Sequence, residues 1–225
     1  MKYKIASFFA GAGGLDLGFE QAGFDIVYSN EFDKKITPTL KKNFIHSQID
    51  DRDINKVSKE DIPSVDGIIG GPPCQSWSIA GKGRGLNDSR GQSFLKYIQL
   101  IKELKPKFFL AENVKGMLSS KVDGGGIFHR IMDDLAGAGD GYRLVPLSAQ
   151  QVMDGTHPLA RDFIVRAEDH GVPQARHRAI IIGIRKDVAA RAKLANPLLS
   201  QETPRKTTQE ALSGLPPVRS GLSRG

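Results

Sequence analysis

A chain of 225 residues, 39% hydrophobic and 25% charged, can bury one substantial core, and no stretch approaches the roughly 20 apolar residues that span a bilayer. Its start also lacks the apolar run of a signal peptide, and the single cysteine excludes a disulfide framework or a multi-cysteine metal site, so a cytoplasmic location without a membrane partner is expected. The 32 Lys and Arg against 25 Asp and Glu leave a net charge of +7, which favours a polyanionic partner.

Residues 3–9 predict a β-strand running into the glycine-rich turn Ala10-Gly11-Ala12-Gly13-Gly14. An amphipathic helix follows, with Leu15, Leu17, Phe19 and Ala22 on its apolar side, and Gly23 stops it. Residues 24–29 predict a second strand that ends at Asn30-Glu31-Phe32, and residues 34–44 a helix whose start is shifted by Pro38. A short buried strand over 65–69 leads into Gly70-Gly71-Pro72-Pro73-Cys74-Gln75-Ser76-Trp77-Ser78. Over 92–104, Phe94, Tyr97, Ile98, Ile101 and Leu104 recur at helical spacing, and Pro106 closes the helix. Residues 107–111 then form a strand that delivers Glu112 and Asn113 at its carboxyl end. A loop over 123–126 precedes a helix over 127–136, and 142–147 and 179–185 are the remaining strands. Strands alternating with helices at this spacing predict an α/β fold with a Rossmann-like, doubly wound, mostly parallel sheet. From about residue 195 the chain turns Pro-, Ser- and Thr-rich and loses periodicity, as a linker does.

In such sheets ligands lie beyond the carboxyl ends of the strands. Glycines after the first strand admit a ligand to the backbone, and the helix that follows directs free N–H groups at it. The pattern is G-x-G-G rather than G-x-G-x-x-G, which weakens a nicotinamide-dinucleotide reading. Glu31 ends the second strand, where an acid accepts hydrogen bonds from ribose hydroxyls, and Phe32 beside it can stack on a base. Cys74 stands behind two prolines that fix φ and hold its sulfur at a strand's end, and a thiol is a nucleophile through its thiolate. Each feature also has a plainer account: a tight strand–helix turn, a solvated carboxylate, a small buried thiol.

The set of motifs, in this order, resembles the C5-cytosine DNA methyltransferases. FFAGAGGLDLGFEQAGF is similar to their first motif, NEFD to the second, and Asp53-Ile54 to the adenine-contacting third. GGPPCQSWSIAG is similar to the catalytic motif, SRGQSF to the fifth, AENVKG to the sixth and GVPQARHRAIIIG to the eighth, over about residues 4–183. The resemblance implies the class I S-adenosylmethionine-dependent methyltransferase fold, S-adenosylmethionine consumed as methyl donor, no metal, and double-stranded DNA as partner. It places Phe9, Ala10, Gly11, Gly13, Gly14, Glu31, Phe32, Asp53, Ile54 and Pro73 around the donor. Cys74 would add to carbon 6 of cytosine and make carbon 5 nucleophilic. Glu112 would hydrogen-bond or protonate ring N3, while Arg178, with Arg176 beside it, offers a fork to O2 and a phosphate. Asn113 would orient the proline–cysteine loop. The target base must be extruded from its duplex, at a cost of a few kcal/mol. The glycine-rich stretch 80–86, with Lys82 and Arg84, reads as the loop that closes over DNA.

The chain departs from the family pattern twice. Residues 148–162 read as an inserted surface loop. Residues 207–218 resemble the segment before the target-recognition domain, and neither that domain nor the ninth and tenth motifs follow. The expected organisation is a catalytic domain over 1–194 and, over 195–225, a linker leading to a missing target-recognition domain. A separate C-terminal subunit would then read the DNA, within a restriction–modification system at the nucleoid. A truncated inactive remnant, a non-catalytic nucleotide- or DNA-binding module, and an RNA cytosine methyltransferase stay open as alternatives.

Overall fold

The computed structural model describes residues 2–73, 89–119, 121–122, 125–147, 159–192 and 204–216. Cys74, the loop 80–86 and residues 148–158 of the expected insertion lie outside them.

Strand β1 (Lys4–Phe8) buries four of its five residues, and after α1 (Gly14–Gln21) the chain returns through β2 (Asp25–Asn30). Helix α2 (Thr37–Asn43) carries Pro38 in its first turn, where a missing N–H costs nothing, and leads to the short β3 (Gln48–Asp50). Then come β4 (Gly67–Gly70), α3 (Ser89–Leu104) and β5 (Phe108–Val114). A two-residue hairpin, β6 (Lys121–Val122) with β7 (Gly125–Gly126), precedes α4 (Ile127–Ala136), β8 (Tyr142–Val145), β9 (Ile164–Arg166) and β10 (His177–Arg185). The last strand runs straight into α5 (Lys186–Ala192).

The sheet runs β3-β2-β1-β4-β5-β10-β8, with β9 paired to β10 off this path. The first five strands are parallel, and β10 lies antiparallel to both β5 and β8. From β1 the chain steps outward to β2 and β3, then returns to the other side of β1 as β4. This reversal of direction places the ends of β1 and β4 side by side, Phe8 opposite Gly70.

Successive strand residues serve opposite faces, as a period of two requires. Ile68 and Phe109 join one core with Phe8, Tyr97 and Ile101, while Ile69 and Leu110 join Ile5 and Ile26 in the other. Helix α3 meets the first core at the predicted positions Phe94, Tyr97, Ile98 and Ile101, all buried, and the buried Tyr97 hydroxyl donates to the Leu110 carbonyl at 2.8 Å. Helix α1 meets the second through Leu15 and Phe19. The expected apolar face of α1 needs correction: Leu17 and Ala22 are exposed, and the buried residue is Asp16, whose carboxylate is taken up by two serine hydroxyls. Glu112 and Asn113 also fall inside β5 rather than beyond it, opposite Ile180 and Ala179 of β10.

Gly183 of β10 stands opposite Phe109, and its missing side chain is the space the fully buried Phe109 ring fills. A Cβ there would lie 2.1 Å from Phe109 Cε1. Gly183→Ala is therefore expected to destabilise the chain by about 2–3 kcal/mol, read as a lowered urea midpoint at unchanged slope. An unchanged midpoint would contradict this packing.

The chain divides into two compact units, Met1–Val165 with Arg178–Leu199, and Arg166–His177 with Ser200–Gly225. In the second, Arg205 donates twice to Asp169 Oδ1, from Nε at 3.0 Å and Nη2 at 2.6 Å, and Glu168 Oε1 lies 2.6 Å from His177 Nε2. Thr207 and Glu210 form a reciprocal cap on α6 (Thr208–Leu212). Among the described residues no helix is long and apolar enough to cross a membrane.

Candidate active site

The glycine turn leaves β1 through Phe9 at φ 55°, with Gly11 and Gly13 at 58° and 91°. Glycine adopts this left-handed backbone freely, but Phe9 does so against a steric cost of order 1–3 kcal/mol. Hydrogen bonds hold the turn in place. Ala10 N–H donates to the Asn30 carbonyl at 3.1 Å, Gly13 N–H to the Ala10 carbonyl at 2.9 Å, and Gly11 N–H to Glu31 Oε2 at 2.9 Å. Glu31 Oε1 accepts from Asp33 N–H at 2.8 Å. The Glu31 carboxylate thus ties the turn to the end of β2, and each oxygen keeps lone-pair capacity for a further donor. A Cβ built on Gly11 or Gly14 meets no atom within 4 Å, so the space beside the turn is open.

Beneath the turn lies Asp16, fully buried. Ser7 Oγ of β1 donates to its Oδ1 at 2.5 Å, and Ser29 Oγ of β2 to its Oδ2 at 3.1 Å. Burial holds this carboxyl above the ordinary carboxylate range, against the two serine bonds, which favour the charged form. Sequence reasoning missed Asp16. Its one signal was an acid set between Leu15 and Leu17 while serines punctuate both strands.

A second polar network fixes the segment after β3. Asp50 accepts from the Tyr28 hydroxyl at 2.8 Å and from Arg52, with Nη2 at 2.6 Å from Oδ2. Burial raises the Asp50 carboxyl, but the hydrogen bonds from Arg52 and Tyr28 outweigh it, and the group ends below its ordinary value. Burial also pushes the Tyr28 hydroxyl far up, with the bond to Asp50 adding to it. The Asn30 amide donates to the Asp50 and Arg52 carbonyls, at 3.1 and 2.9 Å. The chain is thereby led to Asp53, which caps the 3₁₀ turn Ile54–Lys56 through bonds from Asn55 N–H and Nδ2, both 2.9 Å. Ile54 is buried in the main core, whereas Phe32 is 66% exposed.

At the neighbouring strand end, Gly71, Pro72 and Pro73 lead toward Cys74. The buried Asn113 donates through Nδ2 to the Pro72 carbonyl at 2.8 Å, and its Oδ1 accepts from Val114 N–H at 2.8 Å. Glu112 Oε1 lies 2.9 Å from Arg178 Nε, and a Cβ on Gly71 would stand 3.0 Å from Glu112 Oε2. An acid, a guanidinium and a fixed backbone carbonyl therefore converge where β4 and β5 end, next to the glycine turn. Arg176 belongs to the second unit, where its carbonyl accepts from Ala167 N–H at 3.0 Å. Among the described residues no group of three or more His, Cys, Asp or Glu side chains could hold a metal ion.

Residues 3–219 match the family model of the C-5 cytosine-specific DNA methylases. The chain belongs to that family. Over 186 residues it is 46% identical to the Type II methyltransferase M.NgoPII of Neisseria gonorrhoeae, covering 82% of this chain and 49% of that protein. It is 33% identical to the Type II methyltransferase M.AquIA of a Picosynechococcus strain, covering 97% of this chain and 91% of that one. Among solved structures, a protein described as a DNA modification methyltransferase encoded within an E. coli prophage has a TM-score of 0.70 at 31% identity, covering 96% of this chain and 56% of that one. The methylase chain thus has the class I S-adenosylmethionine-dependent methyltransferase fold. It spans about half the length of the first curated relatives it matches.

Proposed function

We propose that this chain is the catalytic part of a DNA (cytosine-5-)-methyltransferase acting on double-stranded DNA. The observation that carries the reading is the meeting of Glu112, Arg178 and the Asn113-held Pro72 carbonyl at a strand end beside the glycine turn. S-adenosylmethionine, when bound, supplies an electrophilic methyl group. The open space at Gly11 and Gly14 fits such a ligand, with the backbone of Phe9, Ala10, Gly11, Gly13 and Gly14 along one side. Glu31 would take the ribose hydroxyls, Phe32 the adenine face, Asp53 and Ile54 the adenine edge, and Pro73 the far wall.

In this reading the Cys74 thiolate adds to carbon 6 of the flipped cytosine, and the ring's electron density moves to carbon 5. Glu112 meets the charge that develops at N3, and the Arg178 guanidinium meets O2. Once carbon 5 carries the methyl group, loss of its proton to water or hydroxide expels the thiolate.

Residues 1–194 would form the catalytic domain and 195–225 a connector. Target recognition and the remaining wall of the donor site would come from a separate C-terminal chain. That relatives of this chain are named Type II methyltransferases supports a restriction–modification setting, and the enzyme would work in the cytoplasm at the nucleoid. The test is transfer of a tritiated methyl group from S-adenosylmethionine to unmethylated DNA and, separately, to RNA, with and without a candidate recognition chain, followed by nucleoside analysis. Label in 5-methyldeoxycytidine is expected with the partner. Label only in RNA or in another nucleoside, or none under either condition, overturns the reading.

A further inference from the structure

The glycine turn has one more support, from a segment outside every motif. Asn43, the last residue of α2, donates through Nδ2 to the Ala12 carbonyl at 3.2 Å. The next residue, Phe44, lays its ring on Gly13, where an added Cβ would stand 2.0 Å from Phe44 Cε2 and 2.9 Å from Cζ. Phe44 is 2% exposed and packs with Leu40 and with Ala10, a third residue of the same turn. It is fixed in turn by its own N–H, which donates to the Leu40 carbonyl at 2.9 Å.

Glycines have no side chains with which to hold a conformation, so their order comes from what presses on them. Here the pressure on Ala10, Ala12 and Gly13 comes from two consecutive residues at the end of α2. We infer that Asn43 and Phe44 are positioning residues for the methyl donor, fixing the turn's backbone. The inference rests on the reading of that turn as the donor site. If the buttress is removed, three glycines in a five-residue stretch regain backbone freedom, and a ligand must order them as it binds.

The test compares Phe44→Leu, Asn43→Ala and a control, Phe24→Leu, whose ring lies in the opposite core against Phe19 and Phe108. Two quantities are measured on the full chain: the calorimetric Kd for S-adenosylhomocysteine, and amide hydrogen exchange over residues 10–14 without ligand. Phe44→Leu is expected to raise Kd roughly tenfold and to speed exchange in the turn. Asn43→Ala should raise Kd roughly threefold, and Phe24→Leu should lower the melting temperature while moving neither quantity. Unchanged Kd and exchange in Phe44→Leu, with a lowered melting temperature, would make Phe44 an ordinary core residue and overturn the inference alone. Faster exchange with unchanged Kd overturns it as well. Failure of the parent chain to bind either S-adenosylhomocysteine or S-adenosylmethionine, both alone and with the recognition chain present, would overturn the donor-site reading and take the inference with it. If Phe44→Leu does not fold, the exposed Asn43 carries the test, and an unchanged Kd in Asn43→Ala is then the overturning result.

Discussion

Cys74→Ser is expected to reduce methyl transfer to background while DNA and donor still bind. The substitution is nearly isosteric, but a serine hydroxyl is essentially un-ionised at neutral pH, whereas a few per cent of an ordinary thiol is already thiolate. Removing a catalytic nucleophile typically costs on the order of 10⁴–10⁶ in turnover. Because Cys74 is the only cysteine, the chemistry can also be trapped without ambiguity. DNA carrying 5-fluorocytosine at the target should form a covalent adduct with the parent chain, since fluorine at carbon 5 blocks the proton loss that would release the sulfur. On a denaturing gel the Cys74→Ser chain should show none. An adduct in that variant would remove the sulfur from the mechanism.

Glu112→Gln should slow transfer by roughly 10²–10⁴, the range for loss of a positioned proton donor. The glutamine amide can still donate a hydrogen bond to ring N3, and its oxygen can still accept from Arg178 Nε, now 2.9 Å from the carboxylate. What it cannot do is hand over a proton. The Glu112–Arg178 pair is partly open to water, with side chains 31% and 24% exposed, so its contribution to folding is about 1 kcal/mol or less. The loss should therefore fall on kcat, with the melting temperature nearly unchanged. A variant with the parent's kcat would take Glu112 out of the reaction, and a large fall in melting temperature would instead make it a structural residue.

The fold was legible where a local pattern decides. Helix α3 follows from the spacing of Phe94, Tyr97, Ile98 and Ile101, because that stripe faces one core. Strands β1 and β4 follow from short apolar runs closed by glycines. The antiparallel direction of β10 was not legible, since pairing partners from 37 to 76 residues apart leave no trace in a strand's own composition. Leu17 was assigned inward and Asp16 was overlooked for one reason: hydropathy cannot see that Ser7 and Ser29 wait in the sheet to bond a carboxylate. Glu31 stood out by its place at the end of the second strand, and Glu112 and Arg178 by the family motifs that hold them. Asn43 and Phe44 were invisible because a ring resting on a glycine's bare Cα exists only in three dimensions.

The pairing of Phe8 with Gly70 has a consequence for how such a protein can diversify. In the proposed reaction the two halves of the chemistry would rise from adjacent rails of one ladder, β1 and β4, whose spacing of about 4.8 Å is fixed by backbone geometry. Under the proposed reaction, surface segments could lengthen, shrink or pass to another polypeptide while the distance between these two strand ends stays the same.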